Sequence, residues 1–178
     1  MLEAIIVGAG HRGLLYASYA HNHPDELRIT GVVDPDPLRR RKAAEAHDIP
    51  DERQLETVEE LVAGPRQADF AINATMDELH VPTSIPLLEA GYDILLEKPF
   101  ATDEEEMWEL AQTARRCGRR VAICHVLRYA PFYAAIRRRV AEGEIGDVLN
   151  LQLAEHVSYH HMAVGYVRGK WNSEERCH

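Results

Sequence analysis

The stretch Ala4-Ile5-Ile6-Val7-Gly8-Ala9-Gly10-His11-Arg12-Gly13 decides how this chain is read. An apolar strand runs straight into Gly8-x-Gly10-x-x-Gly13, and Leu14-Leu15-Tyr16-Ala17 continues as a helix. A parallel strand that turns sharply into a helix leaves free backbone N–H groups at the helix start. Together with the positive end of the helix dipole, those groups hold a diphosphate. Gly8 permits the tight turn, Gly10 the close approach of phosphate, and Gly13 the packing of helix on strand. His11 and Arg12 fill the variable positions, where Arg12 faces either the phosphates or solvent. A second strand, Ile29-Thr30-Gly31-Val32-Val33, ends in Asp34. That is about twenty residues beyond the glycines, the distance at which a carboxylate meets an adenosine ribose.

Strand and helix patterns alternate along the rest of the chain. The expected fold class is therefore α/β, a doubly wound parallel sheet of the Rossmann type with crossover helices. Strands are predicted over 3–7, 28–33, 69–74, 93–96 and 121–125, and helices over 11–22, 36–47, 55–63, 78–90, 103–117 and 131–142. Pro24, Pro35, Pro50, Pro65 and Gly91 fall in the connections, where they break helices or permit turns. Thr102 is the expected N-cap of the helix at 103–117, and Glu104, Glu105 and Glu106 complement its dipole rather than ligate a metal. After Gly143-Glu144-Ile145-Gly146 the pattern changes. Val148, Leu149, Leu151, Leu153 and Val157 predict a longer strand, Val148 to Val157, that opens a second sheet. A single strand cannot pair its backbone alone, so either another chain completes it or the natural protein continues beyond His178, and the second is expected. The expected division is a nucleotide-binding domain at 1–122 and the start of a second domain at 123–178.

Composition narrows the classes further. The chain has 178 residues, enough for one full domain and part of another. At 46% hydrophobic residues it suits a soluble protein, and no run of apolar residues is long enough to span a membrane. There is no basic segment followed by a cleavable apolar stretch, and Cys117, Cys124 and Cys177 make an odd count without framework spacing. Reduced thiols and a cytoplasmic location are expected. A formal net charge of −9 disfavours nucleic acid and anionic membranes as partners. The basic runs at 115–120 and 137–139 read as solvated helix surface or C-terminal dipole compensation. Arg39-Arg40-Arg41-Lys42 follows Asp34 closely and is positioned to touch the adenosine end of a nucleotide. Among His156, His160, His161, Cys177 and His178, an i, i+4 pair of histidines suits a metal only in a helix, and this segment reads as strand then loop. No metal is expected.

Five ordered motifs carry a family resemblance. They are the glycine turn; Asn73-Ala-Thr-Met-Asp-Glu-Leu-His80 with Leu87-Leu-Glu-Ala-Gly91; Glu97-Lys98-Pro99 after Asp93-Ile-Leu-Leu96; Cys124-His-Val-Leu-Arg128-Tyr129-Ala-Pro131; and Gly143-Glu-Ile145-Gly146. Together they resemble the glucose–fructose oxidoreductase/inositol dehydrogenase/MocA (Gfo/Idh/MocA) family, in its Rossmann domain and the opening of its second domain. The resemblance implies a nicotinamide cofactor across the carboxyl ends of the strands. Gly8, Gly10, His11, Arg12 and Gly13 would hold the diphosphate, Asp34 the adenosine ribose, and Thr75, His80, Glu97 and Arg128 the nicotinamide side. Lys98 is the implied catalytic group, an ammonium at a strand end before a proline whose preceding bond is commonly cis in the family. Hydride transfer needs some group to take or give the hydroxyl proton and stabilisation of the developing alkoxide, and Lys98 is the candidate for that electrostatic role.

Alternatives stand at several of these positions. His80 either approaches the cofactor or is a helix-start histidine without a ligand. Arg128 and Tyr129 either line the cleft or join Phe132 and Tyr133 in helix packing. The implied function is oxidation or reduction of a sugar, polyol or related hydroxy compound. The expected cofactor is NAD, because a carboxylate such as Asp34 repels a 2′-phosphate; Arg39 and Arg40 leave NADP open. Members carry a further catalytic Asp and His on a second-domain helix. Val167-Arg168-Gly169-Lys170-Trp171 looks like one branch, but only Cys177-His178 stands here for its Cys-His-Asp segment. Activity of this chain by itself therefore stays open. Two other functions remain: an NAD-dependent glycosidase of the same fold, and a non-catalytic nucleotide-binding fragment. Members also commonly associate through the second-domain sheet, so a homo-oligomer is among the expected partners.

Overall fold

Leu2–Val7 (β1) forms the middle of a six-stranded sheet because both of its faces are apolar. Ala4 and Ile6 bury against one layer, Ile5 and Val7 against the other, all at 1% exposure or less. Such double-sided burial is what a parallel strand covered by helices requires. A computed structural model describes residues 1–173 of the chain, so Cys177 and His178 lie outside the described residues. In chain order the first unit contains β1, α1 (His11–Ala17), α2 (Tyr19–Asn22), β2 (Leu27–Val33), α3 (Pro37–His47), β3 (Gln54–Leu55), α4 (Val58–Val62) and β4 (Phe70–Asn73). Then follow α5 (His80–Glu89), β5 (Asp93–Leu96), α6 (Glu104–Cys117) and β6 (Val121–Ile123). All pairings are parallel, in the order β3-β2-β1-β4-β5-β6. This is the doubly wound arrangement expected from the alternating pattern.

Two apolar layers sandwich the sheet. Ile6, Ile29, Val32, Ala43 and Ile72 form one, and Ile5, Leu61, Leu87, Leu88, Tyr92, Ile94 and Leu110 the other. The helices start where side chains cap them. Asp36 accepts from Leu38 N at 2.8 Å and Arg39 N at 3.3 Å ahead of Pro37 at the first position of α3. In α6 the cap is Asp103, not Thr102: Asp103 Oδ1 accepts from Glu106 N at 2.9 Å. Thr102 instead donates both its N–H and its hydroxyl to Glu106 Oε2, at 3.0 and 2.8 Å, which closes a reciprocal box one residue wider.

Three elements differ from expectation. The helix predicted over 55–63 is only Val58–Val62, because Gln54 and Leu55 pair with Val32 and Val33 as an edge strand. The helix over 11–22 divides at Ser18, whose hydroxyl bonds back to Leu15 O at 2.7 Å. The strand predicted from Val148 to Val157 does not form. That segment is irregular, with Leu149 at 94% exposure, since no neighbouring strand takes up its amides and carbonyls.

The chain separates into two compact units, Met1–Cys124 and the part from His125 onward. Cys124 N still donates to Leu96 O at 2.8 Å, continuing the β5–β6 ladder, which is why it stays with the sheet. The second unit contains α7 (Pro131–Ala141) and α8 (Tyr159–Met162). Along α7, Phe132, Ile136 and Val140 are exposed, and Phe132 meets Tyr133 edge-on at 5.3 Å. His160 and His161 lie on the four-residue α8. Among the described residues, no three His, Cys, Asp or Glu side chains are placed to share a metal, and no helix is long and apolar enough to cross a membrane.

Asp93 joins β5 to the start of β6. Its Oδ1 accepts from Arg120 N at 2.9 Å, and its Oδ2 from Arg120 Nε and Nη2 at 2.9 and 2.7 Å. Burial by itself would push the Asp93 carboxyl up, but the Arg120 hydrogen bonds and the charges of Arg120 and Arg119 outweigh it and hold the group below the usual carboxylate range. A folded-state pKa below the unfolded one, about 3.9, gives stability that is complete above that value. It is lost as pH falls through the lower folded pKa. Urea midpoints taken from pH 6 to pH 2.5 should accordingly converge for wild type and Asp93→Asn at the acidic end and diverge above about pH 4.

Candidate functional site

The strand order reverses between β1 and β4, and at such a switch point the two connecting loops part to leave a crevice at the carboxyl ends of the strands. The glycine turn lies on one side of it. Gly8 donates to Val33 O at 2.8 Å, and Ala74, just beyond β4, donates to Val7 O at 2.8 Å. Gly8 has φ +86°, and a Cβ there would stand 2.6 Å from Ala74 O. Gly13 is as tightly constrained: a Cβ would stand 2.2 Å from Gly8 O. Gly10 is different. The nearest atom a Cβ would meet is Arg39 Nη1 at 4.0 Å, so the space in front of the turn is open. Gly10 caps α1 without any side-chain hydrogen bond, which leaves the first-turn amides free of a capping side chain.

Asp34 directly follows β2 and turns into this loop. Its Oδ2 accepts from Ala9 N at 2.8 Å and its Oδ1 from Asp36 N at 2.9 Å. Two backbone amides thus hydrogen-bond a carboxylate that is 4% exposed. A carboxylate offers about four acceptor positions, so each oxygen retains capacity for a further donor. Arg40 Nη1 bonds Asp34 O at 2.5 Å, and Arg39 pairs with Asp36 at 3.7 Å. Two guanidinium groups therefore flank the acid.

Across the crevice, β5 runs out into Glu97-Lys98-Pro99, with the Lys98–Pro99 bond cis. Glu97 is 6% exposed and fully engaged. Tyr16 donates to its Oε1 at 2.8 Å, Arg12 Nε lies 3.5 Å from the same oxygen, and Lys98 N–H donates to its Oε2. Arg12 and Tyr16 stand four residues apart on α1, hence on one face. They tie the glycine-turn helix to the Glu97 loop. Burial, the hydrogen bond to Glu97 and its charge raise the Tyr16 phenol above its ordinary range. Burial also pushes the Cys124 thiol up, the nearby Glu97 charge adds to this, and Tyr16 and Arg12 oppose it. Lys98 is exposed at the strand end.

Asn73 closes the base of the site. It is fully buried, and its Oδ1 accepts from the Thr75 hydroxyl at 2.9 Å. Its Nδ2 reaches Thr83 Oγ1 at 2.8 Å, Ser84 Oγ at 3.0 Å and His80 O at 3.2 Å. His80 begins α5, 1% exposed, with Nδ1 2.6 Å from Pro99 O.

The structure thus brings Gly8, Gly10, Gly13, Arg12, Asp34, Thr75, His80, Glu97 and Lys98 around the strand ends, with His11 exposed at the start of α1. Arg128 falls in the second unit, exposed on the short turn Val126–Tyr129. Tyr16 and Asn73 were not singled out from the sequence. The signals available were Tyr16's four-residue spacing from Arg12 and the amide that closes the otherwise apolar strand Phe70-Ala-Ile-Asn73.

Known proteins resemble this chain over most of its length. An inositol 2-dehydrogenase of Corynebacterium glutamicum is 29% identical over 152 residues, covering 85% of this chain and 44% of that protein. The myo-inositol dehydrogenase Hyg17 of Streptomyces leeuwenhoekii is 31% identical over 157 residues, covering 87% and 46%. The WlbA dehydrogenase of Bordetella pertussis, solved with NADH and UDP-GlcNAcA, superposes with a TM-score of 0.75 at 21% identity, over 82% of this chain and 44% of that one. The chain spans less than half the length of these proteins. Residues 2–125 match the family described as oxidoreductases with an NAD-binding Rossmann fold, and the chain therefore belongs to the Gfo/Idh/MocA oxidoreductase family.

Proposed function

We propose that this chain is the cofactor-binding half of an NAD(P)-dependent oxidoreductase acting on a sugar, polyol or related hydroxy compound. One observation carries the reading: the Asp34 carboxylate and the glycine turn are joined by the 2.8 Å bond from Ala9 N, so the ribose acceptor and the diphosphate cradle form one rigid unit. The open space at Gly10 suits a diphosphate, and the remaining acceptor positions on Asp34 suit a ribose diol. The cofactor would be NAD for that reason, with Arg39 and Arg40 tempering the preference over NADP. A bound nicotinamide supplies the hydride acceptor or donor.

The protein's own groups do the rest. Glu97, held by Tyr16 and Arg12, fixes the Lys98 backbone through its amide. That leaves the Lys98 ammonium at the strand end to steady negative charge on the substrate oxygen as its proton leaves. Inositol dehydrogenases among the relatives support a polyol over other hydroxy compounds.

Calorimetric titration of the folded chain tests the cofactor assignment: binding heat is expected with NADH and a weaker response with NADPH. Absence of heat with both, in a sample that melts cooperatively, would refute it. For Lys98→Ala, NADH-linked turnover of myo-inositol by the protein should fall by about 10²–10⁴-fold while NADH affinity is retained. Unchanged turnover would remove Lys98 from the chemistry.

A further inference from the structure

His80 is the one buried side chain whose hydrogen bonding is incomplete among the described residues: its Nε2 has no partner. Its Nδ1 lies 2.6 Å from the Pro99 carbonyl. A carbonyl oxygen only accepts, so the proton of this pair sits on Nδ1. The other nitrogen then carries a buried lone pair without a partner. The opposite tautomer would set a lone pair against the Pro99 oxygen and leave a buried N–H unpaired, and the doubly protonated ring would leave a buried charge unpaired. Both are more costly than an unfilled acceptor.

The backbone of His80 is itself anchored, since its carbonyl accepts from Asn73 Nδ2 at 3.2 Å and Asn73 belongs to β4. The ring thus carries the position of β4 across to Pro99. On the other side of Lys98, Glu97 Oε2 takes the Lys98 amide, and Glu97 N bonds Asn73 O at 2.9 Å. Lys98 is the residue between two anchors, both leading back to Asn73.

We infer that His80 is a positioning residue for Lys98: a neutral imidazole, protonated at Nδ1, that holds the Pro99 carbonyl and so sets where the Lys98 ammonium stands. It is not a cofactor ligand, because its Nδ1 is engaged with Pro99 and its Nε2 is buried. The inference deepens the proposed function and uses its assignment of Lys98, but its structural content is measurable without any nucleotide.

Nitrogen-15 NMR of the imidazole in the folded chain reads the tautomer directly. A neutral ring with hydrogen on Nδ1 is expected at pH 7, and a proton on Nε2 would overturn the inference. Two variants separate positioning from mere filling of space. The amide nitrogen of asparagine overlays imidazole Nδ1, whereas that of glutamine overlays Nε2. Backbone amide signals of Lys98 and Phe100 should stay in place in His80→Asn and move in His80→Gln. Any other pattern, including equal movement in both or in neither, rejects the role. In the enzyme assay with myo-inositol, His80→Gln should lower kcat by about 10²-fold, the size of effect an ångström of misplacement produces, with NADH affinity unaltered. Should wild type bind no NADH, the function proposed above fails, while the tautomer and amide shifts still decide the role of His80.

Discussion

Gly13→Ala should cost the fold about 3 kcal/mol or more, a large share of a domain's net stability. The added Cβ would stand 2.2 Å from Gly8 O, which is backbone and cannot swing aside, and 3.2 Å from the Ile6 side chain. To relieve the overlap, α1 would have to lift off β1, and Ala17 and Ile6 would leave the core they share. Gly10→Ala should behave in the opposite way. Gly10 has φ −76° and ψ −170°, ordinary for alanine, and nothing closer than Arg39 Nη1 at 4.0 Å. Its unfolding free energy in urea should stay within about 1 kcal/mol of wild type, since only the preference for glycine over alanine at a helix start is lost. NADH affinity should nevertheless fall by on the order of 100-fold, about 2.7 kcal/mol, because the methyl group occupies the space reserved for the diphosphate. Chemical denaturation and calorimetry of the two variants side by side separate these effects. A Gly13→Ala protein as stable as wild type would contradict the packing argument, and a Gly10→Ala protein that binds NADH normally would contradict the cradle.

Asp34→Ala should damage both stability and binding. It strips the acceptor from the Ala9 and Asp36 amides, the first of them buried, at about 1–3 kcal/mol for each amide left unpaired. It also removes the proposed ribose acceptor. Asp34→Asn is the sharper probe of cofactor choice. The carboxamide keeps the shape but faces two N–H donors with one acceptor, and its lost charge no longer repels a 2′-phosphate. With Arg40 bonded to the Asp34 carbonyl and Arg39 beside Gly10, the ratio of NADH to NADPH affinity should fall at least about tenfold. If that ratio is unchanged in titrations of Asp34→Asn, the carboxylate does not select the cofactor.

Much of this was legible in the chain itself because it depends on local spacing. An apolar strand, three glycines at fixed intervals and an acid after the next strand specify the βαβ unit. The alternation that follows specifies parallel strands, since each crossover needs a helix. The place of Asp34 was legible for the same reason: a strand of known length delivers the residue that follows it to a known edge.

Only the tertiary structure decided the rest. That Asp34 grips Ala9, that Tyr16 and Arg12 share Glu97, and that Asn73 and His80 brace the Lys98 loop are contacts between residues 7 to 85 positions apart. No periodicity encodes them, because they arise where separate strands end side by side. The expected strand Val148 to Val157 illustrates the converse. Alternating Leu149, Leu151 and Leu153 state a preference for an extended backbone, but a strand exists only when a neighbour accepts its hydrogen bonds, and none does so here. The chain determined which residues reach the carboxyl edge of the sheet; folding determined which of them touch.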